Sequence, residues 1–519
     1  MVTMLKRLTA VLATAALAAL GLVGLTAAPA AAEEETVANE AELRDAFADP
    51  GVTSIVLQGD IDLEDCGEEL SRDSDNNLVV DGAGHTIGQT CDNLRVMGVD
   101  GDGALTLRHI TLTGGSVAAD GGAVLVRGDV AVVNSTLHHN EASGNGGAIS
   151  SGGHVTVTNS TLHSNTAGSD GGAISAAGGA TITGSQFHQN EVTGNSLGGA
   201  ISAGAPTTVT ASAFVDNHAE FGGAIYIFGA SDDPGVEIVD SQFVRNTARD
   251  QGGAIDTSLD ILIRGSTFED NRADLYGGAF AQASADTHFT VINSTFSGNR
   301  AAERGGLAYV PGSSGTIRHI TAVGNQVGDA GHEGAHWRFS AGSITVSGSV
   351  IAGPIGGPNC FLDGEATVVS EGHNVTDDDS CGFTHPTDTE TGADLQLGAL
   401  ADNGGLTDTM LPAGDSPLID AIPAGDCHPE VGTDQRGVER PQGEGCDIGA
   451  VEVTTTDDDP TDPVTDPSDP GTDPTDPGAG DSLADTGSRT VLVLAAAALL
   501  LAVGAGLVVT GRRRGYTTT

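Results

Sequence analysis

Short apolar runs that alternate with polar residues, separated by Gly, Ser and Asn, recur along the middle of the chain. Ala148-Ile149-Ser150 and Val155-Thr156-Val157-Thr158 are two of them; each is bounded by turn-forming residues, and no helical periodicity connects them. The pattern predicts short strands, and its spacing predicts how they are arranged. A Gly-Gly pair begins at Gly121, Gly146, Gly171, Gly198, Gly222, Gly252, Gly277 and Gly305, and an Asn closes each unit at Asn140, Asn165, Asn190, Asn217, Asn246, Asn271, Asn299 and Asn325, a period of about 25 residues. That is the range of solenoids. A unit of two or three short strands cannot bury its own apolar side chains, so neighbouring units must stack and share a core. The expected fold class is all-β, a parallel β-helix with coils ~4.8 Å apart and equivalent residues in columns. Leu137, Leu162, Phe187, Phe214, Phe243, Phe268 and Phe296 would form one buried column.

The Asn column reads as scaffold. Asn tolerates the left-handed conformation of a tight corner, and stacked amides can hydrogen-bond from coil to coil. The Gly-Gly pairs likewise read as corners or close backbone approaches, since a phosphate cradle would need a following helix. The doubled phrases Gly-Gly-Ala-Ile and Ser-x-Phe-x-x-Asn, from Asp120 to Asn325, resemble the repeats of chlamydial polymorphic outer membrane proteins and of other right-handed parallel β-helix surface proteins. The resemblance implies a right-handed solenoid and a role in adhesion and display. It carries no catalytic residue across.

Before the repeats, Lys6 and Arg7 precede an apolar run from Leu8 to Leu25, and Ala30-Ala31-Ala32 precedes Glu33, which reads as a secretory leader over residues 1–32. Residues 33–119 read as an N-terminal cap and the first coils. Ala41, Leu43, Ala46 and Phe47 stand at helical spacing and predict a capping helix, which would cover the open edge that a solenoid presents at its end. Ile55-Val56-Leu57 and Leu78-Val79-Val80 look like entry strands, and Asp81-Gly82-Ala83-Gly84-His85-Thr86-Ile87 is similar to the first coils of pectate-lyase-like proteins. The repeats proper span 120–358.

A different texture follows over 359–452. Leu397-Gly398-Ala399-Leu400, Ser416-Pro417-Leu418-Ile419-Asp420, Asp434-Gln435-Arg436-Gly437, Arg440-Pro441 and Cys446-Asp447-Ile448-Gly449-Ala450 resemble the region called choice-of-anchor Q, which follows β-helices in surface proteins. Residues 453–482 are Asp, Pro and Thr with almost nothing apolar, so they predict a disordered stalk. In a polyproline-like conformation the stalk would span on the order of 90 Å, enough to cross a cell wall. In 483–519, Leu483-Ala484-Asp485-Thr486-Gly487 precedes an apolar span from Val491 to Thr510 and then Arg512-Arg513-Arg514. The span is long enough for a transmembrane helix, with the arginines on the cytoplasmic side. This order resembles a sortase sorting signal of Leu-Ala-x-Thr-Gly form, which implies cleavage after Thr486, sortase as a partner, and covalent attachment to peptidoglycan at a Gram-positive cell surface. Membrane contact is then expected only through the sorting signal, before processing.

The formal charge of −49 makes nucleic acid or an anionic membrane an unfavourable partner. Lys6 is the only lysine, so once the leader is removed no lysine is left for a Schiff base or general base. Six cysteines in three local pairs, Cys66 with Cys91, Cys360 with Cys381 and Cys427 with Cys446, predict disulfides in an exported chain.

Candidate chemistry is sparse. Asp216, Arg245 and Asp270 fall one coil apart just before the corner Asn, where two carboxylates flanking a guanidinium could serve a hydrolase or could be a surface ion ladder. His138, His163 and His188 form a second column, next to the inward Leu/Phe column, that alternation turns outward; it could hold Zn²⁺ or be a solvated face. Asp73-Ser74-Asp75 and Asp377-Asp378-Asp379 could take Ca²⁺ weakly. No cofactor is required by any of these. The reading that follows is a wall-anchored display protein or adhesin for carbohydrate or another surface ligand; the alternative is a wall-anchored polysaccharide lyase or glycoside hydrolase. Short, regular coils favour binding, the longest excursions lying near Ser231-Asp232-Asp233 and from Ala283 to Asp286.

Overall fold

In the computed structural model, residues 33–204, 206–229, 235–282, 284, 287–328 and 333–454 are described. The leader 1–32, the excursions at Ser231-Asp232-Asp233, Ala283 and Asp286, the stalk from residue 455 and the sorting signal with Leu483, Ala484, Asp485, Thr486 and Gly487 lie outside them. Among the described residues no helix is long and apolar enough to cross a membrane.

The chain winds as a right-handed parallel β-helix of about 12 turns. One turn shows the pattern: Ile149–Ser151, Val155–Thr158, Thr161–His163 and Thr166–Ala167 are strands separated by corners, and Ile174 begins the next turn directly above Ile149. Stacked, these strands build parallel sheets of 12, 14, 14 and 9 strands. Alternation sets the faces. Val155 and Val157 point inward while Thr156 and Thr158 are half-buried on the outside.

The core is a set of columns. Leu137, Leu162, Phe187, Phe214, Phe243, Phe268 and Phe296 are all buried, and the Phe243 ring stacks at 4.9 Å on Phe214 and 4.8 Å on Phe268. Trp337 is fully buried, packed against Phe280, Phe289 and Phe339. It follows Ala308 in its column, so it fills volume that a smaller neighbour leaves.

Two polar ladders run beside the core. Each corner Asn is buried: Asn165 Nδ2 donates to Asn190 Oδ1 in the next coil at 3.0 Å and to the Leu137 carbonyl in the previous coil at 3.0 Å. The column continues to Asn325, whose amide meets buried His336 Nδ1 at 2.9 Å. At another corner the Ser160 hydroxyl accepts from the Ser135 N–H of the coil below, and its column continues through Ser185, Ser212, Ser241 and Ser266. The Asn role is corrected in one respect. The left-handed conformation belongs to the residue before it, as in Ser164 (φ 52°), Asp216 (55°) and Arg245 (51°). The Asn is thereby free to turn its amide inward and replace the backbone bonds lost at the corner.

The Gly-Gly pairs have two separate causes. Gly146 adopts φ 66°, whereas a Cβ on Gly147 would stand 2.1 Å from the Gly172 carbonyl oxygen one coil away. Only glycine lets the backbones of successive corners approach this closely.

Both ends are closed. The helix Glu40–Ala48, capped by Asn39, buries Leu43, Ala46 and Phe47 over the first coil, while Ala41 is exposed. Buried Arg72 fastens it by donating to the carbonyls of Phe47, Asp49 and Val52. At the other end coils persist beyond residue 358, with Cys360–Leu362 above Trp337–Phe339 and Val375–Thr376 above Val350–Ile351. The chain then turns back along the outside of the solenoid. Thr407 donates to the Gly265 carbonyl, Thr295 to Gln435 and the Ala450 N–H to Thr321, contacts spanning 142, 140 and 129 residues of sequence. Inside this arm Arg440 and Glu452 form a 2.8 Å ion pair with both side chains only 1% exposed, and Asp434 binds Arg436 and the Glu452 N–H. The phrases Asp434-Gln435-Arg436-Gly437 and Arg440-Pro441 are thus the arm's internal frame. All three expected disulfides are present: Cys66–Cys91, Cys360–Cys381 and Cys427–Cys446.

Phe243→Ala is expected to destabilise the solenoid by about 3–5 kcal/mol, the range for deleting a buried aromatic; a thermal melt matching the parent would remove the stacked ring from the stabilising core. Arg440→Ala leaves Glu452 buried and unpaired, and a loss of about 3–5 kcal/mol is expected. Limited proteolysis should then cut within 391–454 before it cuts the coils. Burial holds the His336 imidazole down to about 4. Between pH 6.5 and 4 the unfolded chain binds a proton that the fold refuses, so stability declines as pH falls through that window, by on the order of 1–3 kcal/mol. Denaturant midpoints at pH 7 and 4.5 should show this decline, and His336→Gln should reduce it.

Candidate functional site

Outward positions of the solenoid do not pack into its central core, so departures from small polar residues there are informative. On the sheet that follows the Gly-Gly corners, the middle outward position reads Ser150, Ser175, Ser202, then Tyr226, Asp256, Ala281, Tyr309 and Arg338. The position just before each Gly-Gly reads Leu197, Phe221, then Gln251, Tyr276, Arg304 and Glu333, paired coil by coil. Three of the chain's four tyrosines therefore meet on one face, although aromatics make up only 3% of the sequence. All three are half-buried, and Phe228 beside them is 45% exposed.

The rings are ordered against one another. Tyr276 and Tyr309 stack at 4.9 Å, the Arg304 guanidinium lies 5.3 Å from the Tyr276 centroid, and Tyr226 and Phe228 meet at 6.1 Å. Arg304 is held by Glu333 at 2.8 Å, which also holds Arg338 at 2.9 Å. Burial, then the neighbouring Asp256, raises the Tyr226 phenol above its ordinary value; burial and the charge of Glu303 do the same for Tyr276.

Asp256 is the anomaly of this face. Its register aims it outward between Tyr226 and Ala281, yet it is 1% exposed, and neither carboxylate oxygen has a hydrogen-bond partner. Burial pushes its carboxyl up to about 8, an effect the nearby Gln251 side chain offsets only in part and the charge of Asp250 reinforces. Asp250 is itself raised, by burial and then by Glu220 and Glu303, so the face carries a dense negative field.

The residues singled out from sequence lie elsewhere. Arg245 binds Asp216 through two 2.9 Å bonds, both side chains well exposed, while Asp270 makes no ion pair with it. Two carboxylates do not flank the guanidinium as equals, and all three residues occupy left-handed corner positions. The geometry is a surface ion pair. His138, His163 and His188 stack face to face at 4.9 and 4.7 Å, half-buried as alternation requires, and His138 Nδ1 lies 2.7 Å from His139 Nδ1. Burial, then the adjoining imidazoles, lowers His163 to about 4. Stacked rings aim their in-plane lone pairs along parallel lines, so they do not converge on a Zn²⁺ ion. The acidic turns are likewise occupied: Asp75 caps the Asp102 N–H, Asp377 accepts from Gly353 and Asn359, and Asp378 accepts from Asn359 and Ser380. Among the described residues no group of three or more His, Cys, Asp or Glu side chains gathers as a metal site.

Comparison with known proteins bears on the solenoid. A family described as the right handed beta helix region matches residues 96–268. The fold is that of a right-handed β-helix. No curated protein matches the chain in sequence. Among solved structures, the chain "L. reuteri 53608 SRRP" is similar at 14% identity and a TM-score of 0.26, covering 66% of this chain and 98% of that chain.

The tyrosine face was open to a repeat-by-repeat alignment of sequence. Tyr226 and Tyr309 each stand four residues after the first glycine of a pair, where earlier repeats have Ser, and Tyr276 directly precedes one. Asp256 holds the same offset after Gly252, but its burial is legible only in three dimensions. Its raised pKa makes the protonated form the folded one, so stability should fall as pH rises from about 4 to 8 while the unfolded chain releases its proton. Asp256→Asn is expected to flatten that decline and to stabilise the protein at pH 8 by on the order of 2 kcal/mol or more. Equal melting temperatures at pH 5 and pH 8 in the parent would contradict the buried, unpartnered carboxyl.

Proposed function

We propose that the chain is an exported surface protein, joined to peptidoglycan by sortase through Thr486, whose β-helix displays the tyrosine face as a carbohydrate-binding adhesin. The observation that carries the binding role is the concentration of Tyr226, Phe228, Tyr276 and Tyr309 on the outside of a solenoid whose other large aromatics are mostly core. Half-buried tyrosines offer apolar ring surface with a hydroxyl at the rim, a combination suited to a sugar, and a rigid backbone holds them without further ordering cost. Export and anchoring are supported by the leader, the Asp/Pro/Thr stalk and the ordered pentapeptide, apolar span and arginines. Disulfides suit the same compartment.

A second reading, a wall-anchored polysaccharide lyase or hydrolase, is favoured by Asp256 alone, which keeps its proton near neutrality as a general acid must. The Asp216–Arg245 pair sits at the corner that follows a different sheet, away from Asp256.

A glycan array read with the exported chain is expected to give a defined set of ligands without product release. Tyr226→Ala combined with Tyr309→Ala should weaken them at least tenfold, whereas Arg245→Ala should change neither binding nor, beyond about 0–1 kcal/mol, stability. Depolymerisation that is lost on changing Asp256 would establish the enzyme reading instead. For anchoring, Thr486→Ala should make the protein extractable by detergent, while the parent needs muralytic digestion for release. Detergent extraction of both to the same extent would remove the covalent link.

A further inference from the structure

The tyrosine face carries a group that its fold does not satisfy. In other coils the position of Asp256 is held by Ser175, Ser202, Tyr226 or Ala281, none of which brings a charge at neutral pH. A carboxyl there, buried with both oxygens unpartnered, is a net burden on folding. Such a group is satisfied by a ligand that brings its own donors.

The surroundings select the ligand's charge. Tyr226 lies next to Asp256 on the preceding coil, and Asp250, Glu220 and Glu303 bring three further carboxylates; burial, then repulsion from Glu220 and Glu303, raises Asp250. Arg249, next to Asp250 in the chain, donates to the Gly194 carbonyl, and Arg304 and Arg338 are paired with Glu333 and Asp363, so carboxylates outnumber arginines here. A polyuronide would therefore meet repulsion at this strip. A cation would meet attraction from Asp250, Glu220 and Glu303 and could ionise Asp256.

We propose that Asp256, with Tyr226 and Gln251, forms a subsite for the ammonium group of an amino sugar carried in a glycan lying on the tyrosine face. This rests on the carbohydrate-binding reading above and assigns its ligand class. Entry requires the side chains over Asp256 to turn aside, after which the ammonium donates to the two carboxylate oxygens and the sugar ring rests against Tyr226. Because burial keeps the carboxyl protonated in the free protein, binding of the ammonium form, at a pH where the sugar amine is charged, displaces that proton to buffer.

The test is calorimetric titration of the exported chain at 150 mM salt with glucosamine trimer, N-acetylglucosamine trimer, galacturonic acid trimer and Ca²⁺. Glucosamine trimer should bind at least tenfold more tightly than the acetylated trimer, and galacturonic acid trimer should not bind. Heats measured in buffers of different ionisation enthalpy should report proton release, absent in Asp256→Asn. That variant should lose at least tenfold in affinity for glucosamine trimer while melting no lower than the parent, and Glu237→Gln, which removes one exposed charge from another sheet, should keep full affinity. Equal affinity for acetylated and free trimers, or unchanged affinity in Asp256→Asn, would overturn the ammonium subsite and leave carbohydrate binding standing. Ca²⁺ binding lost in Asp256→Asn without amino-sugar binding would overturn it in favour of a metal site. If none of the trimers binds, this subsite is refuted; if the array is blank too, the carbohydrate reading falls with it.

Discussion

Every feature of this solenoid answers to one constraint: each coil must hydrogen-bond to the coil above and below it at a fixed spacing. Backbone pairing satisfies the strands, but corners break it. The Asn and Ser ladders restore what the corners lose: each Asn amide accepts from one coil and donates to its neighbours, and each Ser hydroxyl accepts from the coil below while donating to a carbonyl two residues back in its own coil. The amide column ends at His336, which accepts from Asn325 and reaches the Ala352 carbonyl with its other nitrogen. The same constraint fixes the glycines, because a side chain between stacked corners would push the coils apart. It also produces the stacked phenylalanines, since one inward residue per coil at one height becomes a column.

A stack has ends, and the ends are where such a structure is vulnerable to edge pairing. The amino-terminal helix is tied down by a buried arginine that donates to four carbonyls near its end and the turn after it. The carboxy-terminal region does more than cover the last coil. It doubles back over several turns, held together by the buried Arg440–Glu452 pair and docked through Gln435, Thr433 and Gly449. Buried ion pairs contribute little net stability but make misassembly costly, because either partner alone would be stranded. The arm thus locks one register against the solenoid.

Because packing and pairing are confined to inward and corner positions, the outer surface can vary without disturbing the fold. Most outward sites carry Thr, Ser or charged residues that need no explanation. The tyrosine face does need one, and Asp256 more so, since a buried carboxyl without partners opposes folding. The histidine stack and the Asp216–Arg245 pair fall on the other side of this distinction. The stack follows from identical residues repeating one coil apart, and Asp216 and Arg245 satisfy each other across one coil step.

Sequence by itself determined the coil period, the inward Leu/Phe column, the existence of an amide ladder, the amino-terminal helix and the cysteine pairing. These are local or strictly periodic, and period is readable along a chain. Tertiary structure decided that the left-handed corner falls one residue before the Asn, that Trp337 is core, and that Asp270 stands apart from Arg245. It also decided that Asp434, Arg440 and Glu452 share one buried network and that Asp256 is covered while its register points outward. Each of these depends on how side chains from different coils, or from segments more than a hundred residues apart, compete for the same space. Periodicity along the chain does not encode that competition; the three-dimensional packing resolves it.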